Sequence, residues 1–131
     1  MTTYMMRGGM PVLDKPVLYI SGPMTGLPDF NYPSFNACAD ALRSEGWKVI
    51  NPANHFGGRT GLPRHKYLAV DTLALVWHCN GIVLLDGWQN SEGSKLELQI
   101  AFDLGYQLYF WTAANGLLPA SHESVEGFLD D

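Results

Sequence analysis

Between an apolar run and a helical stretch of the chain stands the pattern Ser91-x-Gly93-x-x-x-Glu97. Ser91 falls where a helix N-cap belongs, and Gly93 removes the side chain that would keep a ligand off the backbone. The unpaired N–H groups and positive dipole end of a helix start receive a phosphate or another anion readily. Taken alone, Ser91 is equally a plain cap. Glu97 says more. At ~100° per residue it lies within roughly 20° of Leu104 and roughly 60° of Ile100, so it points to the apolar side of its helix. A carboxylate there is costly unless something pairs with it. Beside a crevice, such a group suits the work of a nucleophile or base. The competing reading is a structural glutamate held by a hydrogen bond from a tyrosine or arginine. Asp71 interrupts a second helical stretch on or near its buried face. Facing the same crevice, it would complete an acid and nucleophile pair. A plainer alternative is an aspartate that complements the helix dipole.

Other chemistries find no matching pattern. His55, His65 and His78 show no metal-ligand spacing, and the P-loop and dinucleotide glycine motifs are absent, as is Gly-x-Ser-x-Gly. The expectation is a site without metal or cofactor. Tyr19, Phe30, Tyr32, Tyr67 and Trp88 cluster near the loops. Such residues are mostly core or interface filler, though a few at strand ends could sandwich a planar base.

These residues need a scaffold, and the hydrophobic pattern supplies one. Val17 to Ile20 is a short apolar run closed by Ser21-Gly22-Pro23, which reads as a buried strand. Phe35, Cys38, Ala39 and Leu42 recur at helical spacing within Pro33 to Glu45, with Gly46 suited to the stop. Strand Trp47 to Ile50, helix Arg64 to His78, strand Gly81 to Leu85, helix Gly93 to Leu104 and strand Gln107 to Trp111 follow, with a weaker helix near Ser121 to Leu129. This alternation predicts an α/β domain of the flavodoxin or Rossmann type, a parallel sheet with helices on both faces. Ligands bind such sheets outside the carboxyl ends of the strands. Three polar loops lie there: Ser21 to Tyr32, Asn51 to Pro63, and Asp86 to Gly93. Leu98 and Phe102, on the other side of their helix from Ile100 and Leu104, suggest a helix buried on both sides, at a homodimer interface.

The 131 residues fit one domain, with 1–15 as a flexible arm and 16–131 as the folded unit. Net charge of −5 disfavours a nucleic-acid polymer as partner, while one phosphate would need only local donors. No apolar run approaches the roughly 18–20 residues of a membrane span, and no secretion signal is read, so the expectation is a cytoplasmic protein with no membrane partner. Cys38 and Cys79 read as buried free thiols.

The combined pattern resembles the nucleoside 2-deoxyribosyltransferase superfamily. Carrying the resemblance, over roughly Val17 to Trp111, are Tyr19-Ile20-Ser21-Gly22-Pro23-Met24, Asp71 ahead of Cys79-Asn80-Gly81, the apolar strand to Leu85, and Ser91-x-Gly93-x-x-x-Glu97 with Ala101 and Gly105. Within that superfamily the chain is similar to small, often phage-encoded proteins grouped as domain of unknown function 4406. The resemblance implies a glycosyl-enzyme formed on Glu97, with Asp71 assisting the departing base, and water or a second base completing the reaction. It implies substrate contacts from Tyr19, Gly22, Pro23, Asp86, Trp88, Ser91 and Gly93. Ser91 and the Gly93 backbone would hold a 5′-phosphate, as in deoxynucleoside 5′-monophosphate N-glycosidases. The implied ligand is a nucleoside or nucleotide, and the implied assembly a homo-oligomer, with a dimer favoured. Asn80 departs from the aspartate common at that position in relatives, and Gly57 to Pro63 has no counterpart there. Two further readings stand beside the enzyme: a module that binds a nucleotide-derived ligand without turnover, and a structural subunit. Fold likeness alone does not choose among them.

Overall fold

The computed structural model describes residues 4–7, 10–13 and 16–129. One five-stranded sheet forms the centre of the domain. Its strands are β3 (Val17–Ser21), β4 (Lys48–Ile50), β5 (Gly81–Leu85), β6 (Gln107–Thr112) and β7 (Gly116–Pro119), in the spatial order β4-β3-β5-β6-β7. The first four pair in parallel and β7 adds to β6 antiparallel. Helices α1 (Tyr32–Ser44), α2 (Arg64–His78) and α3 (Glu92–Asp103) connect the parallel strands, and the short α4 (His122–Val125) follows the sheet. Ahead of the domain, β1 (Tyr4–Arg7) pairs antiparallel with β2 (Met10–Leu13) as a sheet of its own. This ribbon falls within the stretch that the sequence, lacking any period there, sets apart as an arm.

Alternation along the strands sorts the core into two layers. In β3, Leu18 and Ile20 face one side and pack with Phe35, Cys38, Ala39 and Leu42 of α1. Tyr19 faces the other side, with Leu75 of α2 and Leu98 and Ala101 of α3. Continuing the period of two, Ser21 shares the Tyr19 side. β5 is buried along its whole length, as a central parallel strand must be. Helices thus cover both faces of a flavodoxin-like sheet, in accord with the alternation of apolar runs.

To the predicted parallel strands the structure adds β7, which returns antiparallel across a turn at Thr112–Gly116, a strand too short and Gly- and Pro-containing to announce itself. The expectation that Leu98 helps form an outer, dimer-facing side of its helix needs correction, and Phe102 is only half-buried. Leu98 is fully buried in the core of its own chain, and the Phe102 ring lies 4.9 Å from that of His122 at the start of α4. The chain's own C-terminal segment covers that side.

Candidate functional site

The candidate site lies where β3 ends. Strand order reverses beside β3, since the chain goes from β3 to β4 on one flank and returns over α2 to β5 on the other. Such a switch point leaves a crevice at the strand carboxyl ends. Gly22 is required there by close approach: a Cβ on it would stand 2.9 Å from Leu85 Cβ. At Gly87, φ is 86° and a Cβ would meet Pro23 at 3.2 Å, so the loops after β3 and β5 pass against each other.

Glu97 is the centre of the cluster. The buried side of α3 is Ser94, Glu97, Leu98 and Ala101, whereas Leu104 is 51 % exposed. The wheel argument therefore places Glu97 inside correctly and Ile100 beside the core, but takes Leu104 wrongly into the buried stripe. Tyr19 Oη donates to Glu97 Oε2 at 2.5 Å and Ser21 Oγ donates to Oε1 at 2.7 Å. Both donors come from one face of one strand, two residues apart, which is the repeat that lets a strand present two groups to one helix. Burial pushes the Glu97 carboxyl up to about 7; the two hydroxyl donors oppose the rise, Asp71 adds to it and His55 works against it. The Tyr19 hydroxyl is raised well above its ordinary value, by burial first and then by Glu97 and Asp71, so it stays a donor. A carboxyl poised near neutrality can work as nucleophile or base at the pH of the cell.

Asp71 comes to the same cluster from α2, with its side chain largely buried. His55, on the 3₁₀ segment Pro52–Gly58 after β4, places Nδ1 2.5 Å from Asp71 Oδ1. In the sequence His55 stands in an unassigned loop, because a partner 16 residues away has no periodic signature. Asp71 is thus no mere dipole complement: its carboxyl meets an imidazole nitrogen at hydrogen-bonding distance. Ser94 is a second residue that the sequence does not single out. Its Oγ is buried with no hydrogen-bond partner among the described residues, one turn ahead of Glu97 on the same side of α3. Leaving a hydroxyl so costs about 1–3 kcal/mol.

The other expected residues divide. Ser91 is the N-cap of α3, accepting from the Ser94 N–H at 3.1 Å. Gly93 sits in the first turn, and a Cβ there would meet only Ser91 Oγ, at 3.9 Å. Packing does not demand a glycine that costs roughly 0.5–1 kcal/mol against alanine in a helix. Pro23 is half-buried, and its carbonyl accepts from Asn31 Nδ2 at 2.9 Å. Asp86 is exposed at the end of β5. Tyr19 is fully buried on Glu97, so it holds the carboxylate rather than lining open space. Trp88 is a packing residue, 3 % exposed, with Phe110 and Phe128 rings at 6.4 and 4.8 Å. On the loop leaving β3, Asp29, Phe30 and Asn31 all have left-handed φ, from 52° to 61°. Non-glycine residues rarely adopt it, and Phe30 is held 45 % exposed there.

Cys38 and Cys79 are free, buried thiols pushed up to about 12 by burial, which makes them poor nucleophiles. Among the described residues no three of His, Cys, Asp and Glu gather as a metal-binding group, and no helix is long and apolar enough to cross a membrane. A groove of about 530 Å³ runs along the outer side of α2, away from Glu97. Here chemistry, not cavity size, marks the site. No curated protein matches the chain. The family model described as Domain of unknown function (DUF4406) matches residues 16–110, most of the chain, and the protein belongs to that family.

Proposed function

We propose that the protein cleaves or exchanges the N-glycosidic bond of a 2′-deoxynucleoside or its 5′-monophosphate, through a glycosyl-enzyme on Glu97. The observation that carries this reading is the carboxyl of Glu97, pushed up to about 7 by burial and held by hydrogen bonds from Tyr19 and Ser21, with the Asp71–His55 pair beside it. The resemblance to deoxyribosyltransferases supports it independently of the geometry.

In the reaction, an ionised Glu97 oxygen attacks C1′ as the C1′–N bond breaks. The departing base takes that electron pair and a proton from the Asp71–His55 pair. Water, or the nitrogen of a second base, then attacks C1′ and frees the carboxylate, while the same pair takes the proton back. This is the logic of retaining glycosidases, one carboxyl as nucleophile and another group switching from acid to base. The two hydroxyls on Glu97 fix which oxygen lone pairs face the sugar. The first turn of α3, with its Ser91 cap and open Gly93, suits a 5′-phosphate. Phe30, presented from its loop, offers a face for the base. The reading includes a cytoplasmic location and a homodimer.

The second reading, a nucleotide-binding module without turnover, is favoured by one observation: both Glu97 oxygens already have protein donors. Incubation with each deoxynucleoside and each 5′-monophosphate, followed by chromatography for free base, separates the two. Base release that disappears in Glu97→Ala supports the enzyme and names the base. Exchange onto an added second base identifies transfer. No release and no exchange from a folded protein would sink the enzyme for these substrates. Glu97→Gln that retains nucleotide binding beside an inactive wild type would leave the module.

A further inference from the structure

α2 is apolar on both sides. It buries Ala74 and Leu75 inward, while Leu73, Val76 and Trp77 stand 55 %, 42 % and 72 % exposed on the outer side. From Leu68 to Trp77 only Asp71 and Thr72 are polar. A helix apolar all round is ordinarily covered all round, and contiguous exposed apolar surface marks an interaction site. The shallow groove on this side runs from His65 to Trp77.

Shape and charge both point to a second copy as its occupant. Ala69, Leu73 and Trp77 form one row four residues apart. At 1.5 Å rise per residue, Ala69 and Trp77 lie ~6 Å to either side of Leu73. If two α2 helices cross antiparallel about a two-fold axis at Leu73, each Trp77 indole falls opposite the other copy's Ala69. The large residue meets the small one twice, which is the self-matching an isologous interface needs. Charge agrees with this orientation. The N-terminal end of α2 carries exposed Arg64 and Lys66. Its C-terminal end is the negative end of the dipole. There the Tyr106 hydroxyl donates to the Leu75 carbonyl at 2.8 Å, one of the terminal carbonyls that make up that negative end. Antiparallel apposition sets the Arg64 and Lys66 end of each helix against the negative dipole end of the other, at both ends of the contact.

We infer that the outer side of α2 is a homodimer surface, centred on Leu73 and locked by Trp77 against Ala69. This surface rests on the dimer named above, and the test separates the two. Sedimentation of the wild type gives a species of twice the 14.5 kDa chain mass. Trp77→Glu raises the dimer Kd by roughly 30-fold or more, as loss of a central tryptophan anchor does. Trp77→Ala and Ala69→Trp each weaken it, and the double variant, with the pair reversed, recovers it. The Leu73→Cys variant cross-links to its own second copy on oxidation. Helix axes 8–10 Å apart with Cα atoms at ~2.3 Å radius bring the two Cα atoms to about 3.5–5.5 Å, overlapping disulfide range. A dimer that survives Trp77→Glu, and that yields no cross-link in the Leu73→Cys variant, uses another face and overturns the surface alone. A monomer at ~100 μM, where a micromolar dimer would be well populated, overturns both.

Discussion

Replacing Glu97 with glutamine is expected to make the protein more stable above neutral pH and to flatten its pH dependence. Burial raises the Glu97 carboxyl from 4.5 to about 7. Because the folded value is the higher one, the folded chain keeps a proton between these limits that the unfolded chain has lost. Stability from this group is therefore full below pH 4.5, falls as pH rises through the window, and levels off above 7. At about 1.4 kcal/mol per pH unit the whole fall is roughly 3 kcal/mol, of which roughly 2–3 kcal/mol lies between about pH 5 and 8. Glutamine has the shape of the protonated acid. Its carbonyl accepts one of the two hydroxyls and its amide donates to the other. Urea unfolding followed by tryptophan fluorescence, at about pH 5 and pH 8 on both proteins, reads the difference. With a slope of ~1–3 kcal/mol per molar urea, Glu97→Gln moves the midpoint up by about 1–3 M at pH 8 relative to wild type, and little at pH 5. Titrating groups remote from Glu97 cancel in the comparison. Two curves that stay parallel across this pH range would refute the claim that a buried, strained carboxyl sits at this position.

Turnover, where base release is seen, should need ionised Glu97, so kcat/KM rises with pH through about 7. Tyr19→Phe removes the 2.5 Å donor to Oε2 and moves that rise about 1–2 units to higher pH, since a hydrogen bond to a charged group is worth about 1.5–3 kcal/mol. Asp71→Asn and His55→Gln are each expected to lower kcat about 10²–10⁴-fold in single-turnover base release, and the double variant no further than the worse single one, because the two groups act as a unit. Additive losses would separate their roles. Gly22→Ala should lower stability by roughly 1–3 kcal/mol in the same urea assay, as its Cβ would press on Leu85. Gly93→Ala, which meets no packing obstacle, should raise stability by about 0.5–1 kcal/mol yet weaken binding of a 5′-monophosphate more than of the free nucleoside.

Local signals make the scaffold legible in the sequence. Each parallel strand is a short apolar run with a Gly, Pro or Asn stop, and α1 and α3 show their 3–4-residue spacing, so strands, crossovers and the ends that hold the site can be read without coordinates. The motif from Ser91 to Glu97 works the same way, because capping chemistry and helical phase are local. Whatever depends on distant pairing stays hidden. His55 meets Asp71 only because β4 and its 3₁₀ extension deliver it under α2. The outer face of α2 looks like core in the sequence, since periodicity cannot tell a side packed on the sheet from one left outside. Leu98 shows the reverse error: a second apolar side reads as an interface, although α4 and the C-terminal segment already cover it. β7 is four residues with one Gly and one Pro, below what alternation can announce.

Glu97 carries a cost that its two hydrogen bonds to β3 do not require, and the proposed reaction gives that cost a use. A carboxyl held at about 7 subtracts roughly 3 kcal/mol from the stability of a small domain at neutral pH, where such domains have only about 5–15 kcal/mol in all. If the role were only to tie β3 to α3, a glutamine could do it at no such loss, and an apolar pair of similar volume could improve on it. The surroundings deepen the loss rather than relieve it. Among the described residues no lysine or arginine offsets the carboxylate; instead Asp71 stands near enough to raise it further, and the unpaired Ser94 hydroxyl lies one turn away. Two hydroxyls bring the carboxylate only part of the way back, which leaves it ionisable near neutral pH yet not stabilised as an anion. Structural ion pairs are built the other way, with charge neutralised where it is buried. An anion that is oriented and under-compensated suits the proposed attack on an electron-poor sugar carbon, where the developing positive charge at C1′ would supply the missing compensation.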